Sequence, residues 1–110
     1  KFLKIDDGID TGSIIHQIRP DLHSKDNVHD IGNKLIIKTV RVLEKLVSNY
    51  KNLKGKKQKK KKTDKIYKKK DYSELALKKM KLHFKNNFIK KYLNDKKKID
   101  KKYPIIEQKI

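Results

Sequence analysis

The chain has 110 residues and a formal net charge of +19, from 32 Lys and Arg against 13 Asp and Glu; 41% of its residues are charged, 35% are hydrophobic and none is Cys. Such a sequence can form one small domain with a modest core. The lack of Cys excludes disulfides and thiolate chemistry and favours an intracellular, cytoplasmic location, and no apolar run approaches the ~20 residues that a membrane span needs.

The first 20 residues predict a strand, a loop and a second strand. Residues 1–5, KFLKI, are expected to be extended. Residues 6–12 are rich in Asp and Gly, which bond to nearby backbone and tolerate tight turns, and they predict a loop. Residues 13–19 contain three β-branched Ile and end before Pro20, which predicts the second strand.

The strongest periodic signal predicts a helix from about Asn27 to Tyr50, capped by Ser24 or Asp26. The apolar residues that recur at helical spacing are Val28, Ile31, Leu35, Val42 and Leu46. A second set, interpreted as a widening of the same apolar stripe, is Ile36, Val40, Leu43 and Val47.

The positive charge is concentrated in the second half of the chain. Residues 1–53 carry nine basic and seven acidic side chains, whereas residues 54–110 carry 23 and six. Residues 54–70 are dominated by lysine, whose mutual repulsion predicts a solvated loop, with a short strand at 65–69 as an alternative.

The last 40 residues predict helices and a docked tail. One helical face is expected to point toward the core, and it consists of Leu77, Met80, Phe84, Phe88 and Tyr92. Asn86 and Asn87 tolerate left-handed backbone, so one helix or two short helices fit this stretch equally well. Pro104 ends regular structure, and the apolar residues after it are expected to dock.

The acidic loop carries a motif that resembles a known family. The motif runs Asp7-Gly8-Ile9-Asp10-Thr11-Gly12-Ser13-Ile14-Ile15 and closes on Gln17. It resembles the strand-loop-strand of formyltransferases that use 10-formyltetrahydrofolate, a family that includes the glycinamide ribonucleotide, methionyl-tRNA and sugar amine enzymes. Ser13 stands where proline is common. The resemblance covers residues 1–50 well and the remainder loosely.

The resemblance implies an α/β fold. Residues 1–53 would be the C-terminal part of a Rossmann-like formyl transferase domain, with two strands and a long helix. Residues 54–70 would be a lysine-rich loop and residues 71–110 a helical tail. The family's upstream catalytic Asn and His have no counterpart, and the sequence has no initial Met. We therefore expect a fragment that is inactive alone.

The resemblance also implies an activity, which is transfer of a formyl group from 10-formyltetrahydrofolate to an amine. Asp10 would be the catalytic residue, and the backbone of Asp6, Asp7, Gly8 and Ile9 would lie against the pterin ring. The acceptor stays open between a small-molecule amine, of the nucleotide sugar or glycinamide ribonucleotide type, and an aminoacyl-tRNA. No membrane partner is expected.

Other interpretations of the same residues remain. The lysine-rich half fits a basic RNA-binding or ribosome-associated protein, and the face around Met80 and Phe84 fits an interaction module. His16 is expected to be a packed or an edge residue of its strand rather than a metal ligand. No metal site is predicted, because the His residues lack the required spacing and the loop acids lack the alternate-residue pattern of a calcium site.

Overall fold

The computed structural model describes residues 1–59 and 67–110 of the chain. Its regular elements are strands β1 (Phe2–Leu3) and β2 (Ile14–His16) and helices α1 (Val28–Ser48), α2 (Glu74–Lys85), α3 (Phe88–Asn94) and α4 (Lys96–Lys102). Short 3₁₀ turns lie at Tyr50–Asn52 and Lys69–Asp71. The lysine-rich loop and the alternative strand at 65–69 lie partly outside the described residues, and residues 67–69 form no strand.

The architecture is mostly helical, and the prediction of an α/β, Rossmann-like domain is wrong. β1 and β2 pair in the antiparallel sense, with Phe2 opposite His16 and Leu3 opposite Ile14. They form a two-stranded sheet, the one sheet in the described part of the chain. A Rossmann-like sheet is parallel, and a parallel crossover needs a dozen or more residues. Residues 4–13, which connect β1 to β2, are too few for a parallel crossover. The two strands can therefore pair only in the antiparallel sense.

β2 lies at the centre of the hairpin region, because backbone groups bond to it on both sides. On the side away from β1, Ile14 and Lys56 exchange two backbone hydrogen bonds of 2.7 Å each. Farther along, the Gln17 N–H donates to the carbonyl of Ile106 at 2.7 Å. Segments far apart in sequence therefore meet at β2, where Ile14 and His16 are buried.

The predicted docking of the C-terminal tail is confirmed, and the structure places it along β2 and Gln17. The Ile106 N–H donates to Gln17 Oε1 at 2.9 Å, and the Gln108 side chain donates to the carbonyl of Ile15 at 2.8 Å. The Gln108 N–H donates to Nδ1 of His16 at 2.9 Å. Nδ1 is therefore the unprotonated ring nitrogen, and neutral His16 carries its proton on Nε2. The sequence-based expectation of a packed His16 is confirmed.

This contact makes the docked tail sensitive to pH. Burial lowers the pKa of His16, against a smaller opposing effect of Glu107. As the pH falls below the ordinary His value of 6.5, His16 takes up a proton more readily in the unfolded chain than in the folded one. Stability should therefore fall with decreasing pH in this range. We expect the urea midpoint of unfolding to decrease from pH 7 to pH 5, and the His16→Gln variant to show a smaller decrease. If the midpoint of the variant fell as much as that of the original protein, His16 would not be the group responsible.

Helix α1 begins at Val28, one residue after the predicted start, and neither predicted cap, Ser24 or Asp26, is its N-cap. Asn27 caps it, since Asn27 Oδ1 accepts from the Asp30 N–H and Asp30 Oδ2 accepts from the Asn27 N–H, both at 2.9 Å. Asp26 instead accepts from Lys34 Nζ at 2.6 Å and from the His23 N–H at 2.8 Å. These two bonds lower the pKa of Asp26, the Lys34 bond most.

The two apolar sets of α1 have different environments. In the first set Leu46 is buried, Ile31, Leu35 and Val42 are half-buried, and Val28, in the first turn, is 39% exposed, against the prediction. The second set is exposed, at 64% for Ile36, 61% for Val40, 47% for Leu43 and 62% for Val47. The second set therefore does not widen the buried stripe, which corrects the prediction. It forms a separate apolar surface.

Two short helices, not one, follow the lysine-rich segment. α2 ends at Lys85, and Asn87 adopts a left-handed backbone with φ 57° before α3 begins. The Phe84 and Phe88 rings pack edge to face across this break, with centroids 5.0 Å apart. The predicted core face is only partly covered, because Phe88 is 39% exposed and the buried residue of these helices is Ile89.

Helix α4 is joined to the region after β2 by a charged cluster. Asp100 accepts from Lys96 Nζ and from the Tyr92 hydroxyl, and Arg19 lies 3.6 Å from the same carboxylate. These bonds, the Lys96 bond first, lower the pKa of Asp100. The ion pair between Arg19 and Asp100 thus links α4 to the N-terminal half of the chain.

Candidate active site

The loop between β1 and β2 is organised by Asp6. Its Oδ1 accepts from the Gly8 N–H at 3.0 Å and from the Thr11 hydroxyl at 2.6 Å. A Cβ on Gly8 would lie 2.0 Å from that same hydroxyl oxygen. The first half of the loop therefore folds around one carboxylate, a local pattern typical of Asp in turns.

The second half of the loop is held from a distance by Gln58. Its Nε2 donates to the carbonyl of Asp10 at 2.8 Å and to that of Gly12 at 2.7 Å. Gly12 is buried, and a Cβ on it would lie 1.6 Å from the carbonyl oxygen of Lys4. Sequence reasoning missed Gln58; its one signal is that it interrupts a run of lysines.

Asp10 occupies a left-handed position in this loop, with φ 53°. Asp and Asn adopt this conformation more readily than most residues. The backbone of Asp10 is fixed by Gln58, whereas its exposed carboxylate makes no hydrogen bond or ion pair with any residue in the described ranges. The loop therefore presents a free carboxylate on an ordered backbone.

An open cavity of about 270 Å³ adjoins Asp10 and is lined by residues 3–6 and 8–12. Of the residues expected to hold the pterin ring, Asp6, Gly8 and Ile9 line it and Asp7 does not. The Gly8 N–H is already bonded to Asp6 and is not free for a ligand. Sites for small molecules usually enclose roughly 300–1,000 Å³. This cavity is smaller, so a folate ring bound here would need further walls.

Within residues 1–59 and 67–110, no three His, Cys, Asp or Glu side chains come together as possible metal ligands. No helix in those ranges combines the length and the apolar character needed to cross a membrane.

No family model, curated protein or solved structure matches this sequence.

Proposed function

We propose that the chain contributes Asp10 to the active site of a formyltransferase that moves a formyl group from 10-formyltetrahydrofolate to an amine. The observation that carries the proposal is the free carboxylate of Asp10, held on an ordered loop beside an open cavity. The likeness of residues 7–17 to the family motif supplies the reaction class.

The chemistry gives Asp10 a specific task. The amine nitrogen attacks the formyl carbon, and the bond from that carbon to the folate nitrogen breaks. One proton must leave the attacking nitrogen, and one must reach the departing folate nitrogen. A carboxylate near the amine can accept the first proton directly or through a water molecule. Because no neighbouring cation or donor occupies it in the described ranges, the carboxylate of Asp10 is available for this transfer.

The proposal is tested on the complete protein with 10-formyltetrahydrofolate. Tetrahydrofolate should be released only when an amine acceptor is present, with an amino nucleotide sugar, glycinamide ribonucleotide and an aminoacyl-tRNA assayed in parallel. Failure of the complete protein to bind the folate in equilibrium dialysis would refute the assignment.

A second candidate function is binding of RNA by the lysine-rich half. Helix α4 contains five lysines against one Asp. Tyr72 and Tyr103, which are 80% and 61% exposed, could stack on bases. For this function, RNA affinity should fall steeply as salt rises, with a log–log slope of about −0.7 for each phosphate contacted on a single strand. A flat salt dependence would exclude it.

A further inference from the structure

A second cavity lies where the end of β2, helices α1 and α4 and the C-terminal tail come together. This cavity, here called the tail cavity, has a volume of about 440 Å³, within the roughly 300–1,000 Å³ that small-molecule sites enclose. None of the described residues that line it belongs to the β1–β2 loop. An inference about the tail cavity therefore does not depend on formyl transfer.

His16 supplies a hydrogen-bond donor that the chain leaves unused. The residue is 5% exposed, and its Nδ1 accepts from the Gln108 N–H, so the neutral ring carries its proton on Nε2. Nε2 has no partner among the described residues, although every fully buried polar side-chain atom in that part of the chain is hydrogen-bonded. Nε2 is therefore not sealed inside the protein. Because His16 lines the tail cavity, a ligand there can supply the acceptor that Nε2–H lacks.

The charged residues at the tail cavity leave one positive charge in excess. Four basic and three acidic side chains line it in the described part of the chain. Arg19 and Lys96 lie against Asp100, and Lys38 Nζ donates to the carbonyl of Arg19 at 2.5 Å. The Nζ of Lys45, in contrast, has no hydrogen bond or ion pair within residues 1–59 and 67–110. Lys45 is therefore the cation that remains for a ligand.

The imidazole of His16 does not add to this charge at neutral pH. Burial lowers its pKa, and the opposing effect of Glu107 is the smaller one. The ring is therefore neutral at pH 7, with Nδ1 accepting from the tail and Nε2–H available as a donor. A single negative charge on a ligand would balance the lining.

Part of the lining is apolar. Ile18, Val42, Ile105 and Ile110 contribute aliphatic side chains, and the first three are half-buried. Contact with such side chains favours a ligand that carries a hydrocarbon part. Apolar walls with a small number of placed polar groups are typical of sites for small organic molecules.

We propose that the tail cavity binds a small monocarboxylic acid with an aliphatic body. The carboxylate accepts from His16 Nε2–H and is balanced by Lys45, and the hydrocarbon part lies against Val42. A carboxylate brings the one negative charge that the lining leaves unbalanced. A phosphate monoester brings about −1.5 to −2 at pH 7, and the excess would be repelled by Asp100 and Glu107 in the wall.

The test titrates octanoate at pH 7 into the complete protein, labelled with nitrogen-15 in its histidines. The Nε2 resonance of His16, identified by its absence in His16→Gln, should shift and saturate with a Kd of about 1 mM or tighter. Octanol and octylamine share the hydrocarbon chain and should bind at least about tenfold more weakly, because they lack the charged acceptor. An unmoved Nε2 resonance, equal binding of octanol, or tighter binding of octyl phosphate than of octanoate would each overturn the proposal.

Two variants that each remove one charge test the cavity from opposite directions. Lys45→Gln should weaken octanoate binding about two- to fivefold, the range of an exposed ion pair. Glu107→Gln removes an acidic side chain near His16 and should strengthen binding by a similar factor. Lys79→Gln is the matched control, since Lys79 is an exposed lysine of α2 that does not line the cavity, and it should leave the Kd unchanged. Equal weakening in Lys45→Gln and Lys79→Gln, or no change in either cavity variant, would contradict the proposed site.

Discussion

Replacing Asp10 with Asn should lower kcat of the complete protein by about 10²–10⁴-fold, the usual contribution of a positioned general base. Asn keeps the shape of the side chain and tolerates the left-handed backbone at φ 53°. The carbonyl of residue 10 can still accept from Gln58. The loop should therefore survive while the proton acceptor is lost, and the measurement is kcat together with the unfolding midpoint.

Asp7→Asn is the matched control for this variant. Asp7 lies in the same exposed loop but does not line the cavity. Its replacement makes the same change in charge and should alter kcat by less than about threefold, because exposed charges are screened by salt. Near-normal rates in Asp10→Asn would exclude Asp10 as the base. An equal loss in both variants would indicate that the loop acts through its total charge.

The acidic loop was predictable because its bonds are local. The contacts that shape its first half join Asp6 to Gly8 and to Thr11, within five positions in sequence. Such contacts follow directly from the placement of Asp and Gly. The same locality explains why the break at Asn87 was among the expected alternatives, since left-handed Asn is a property of one residue and its neighbours.

The contacts that complete the site were not predictable in this way. Gln58 reaches Asp10 and Gly12 across 48 and 46 positions, and Lys56 pairs with Ile14. No periodicity or turn residue marks such long-range partners, because they depend on how distant segments pack. The sequence pattern likewise showed both apolar sets of α1, yet periodicity alone does not tell which set this chain buries.

Replacing Gly12 with Ala should destabilise the β1–β2 region by about 1–3 kcal/mol, the range found when atoms are forced into a packed site. The added Cβ would lie 1.6 Å from the carbonyl oxygen of Lys4 and 2.7 Å from its carbonyl carbon. Both are backbone atoms that cannot rotate away. The hydrogen bond from the Lys4 N–H to the carbonyl of Ser13, 3.0 Å long, should open first. Faster hydrogen exchange at the Lys4 amide measures that opening.

Gly32→Ala makes the same chemical change as Gly12→Ala, but it is expected to stabilise the protein. A Cβ on Gly32 meets nothing within 4 Å, and the residue lies inside α1. Ala is favoured over Gly in a helix interior by about 0.8–1.0 kcal/mol, so this variant should unfold at a higher urea concentration. If Gly12→Ala lowers the stability and Gly32→Ala raises it, the steric need for glycine is specific to position 12. If Gly12→Ala were as stable as the original protein, the loop would not need the close contact between Gly12 and Lys4. That contact could then not be what holds the Asp10 carboxylate beside the cavity.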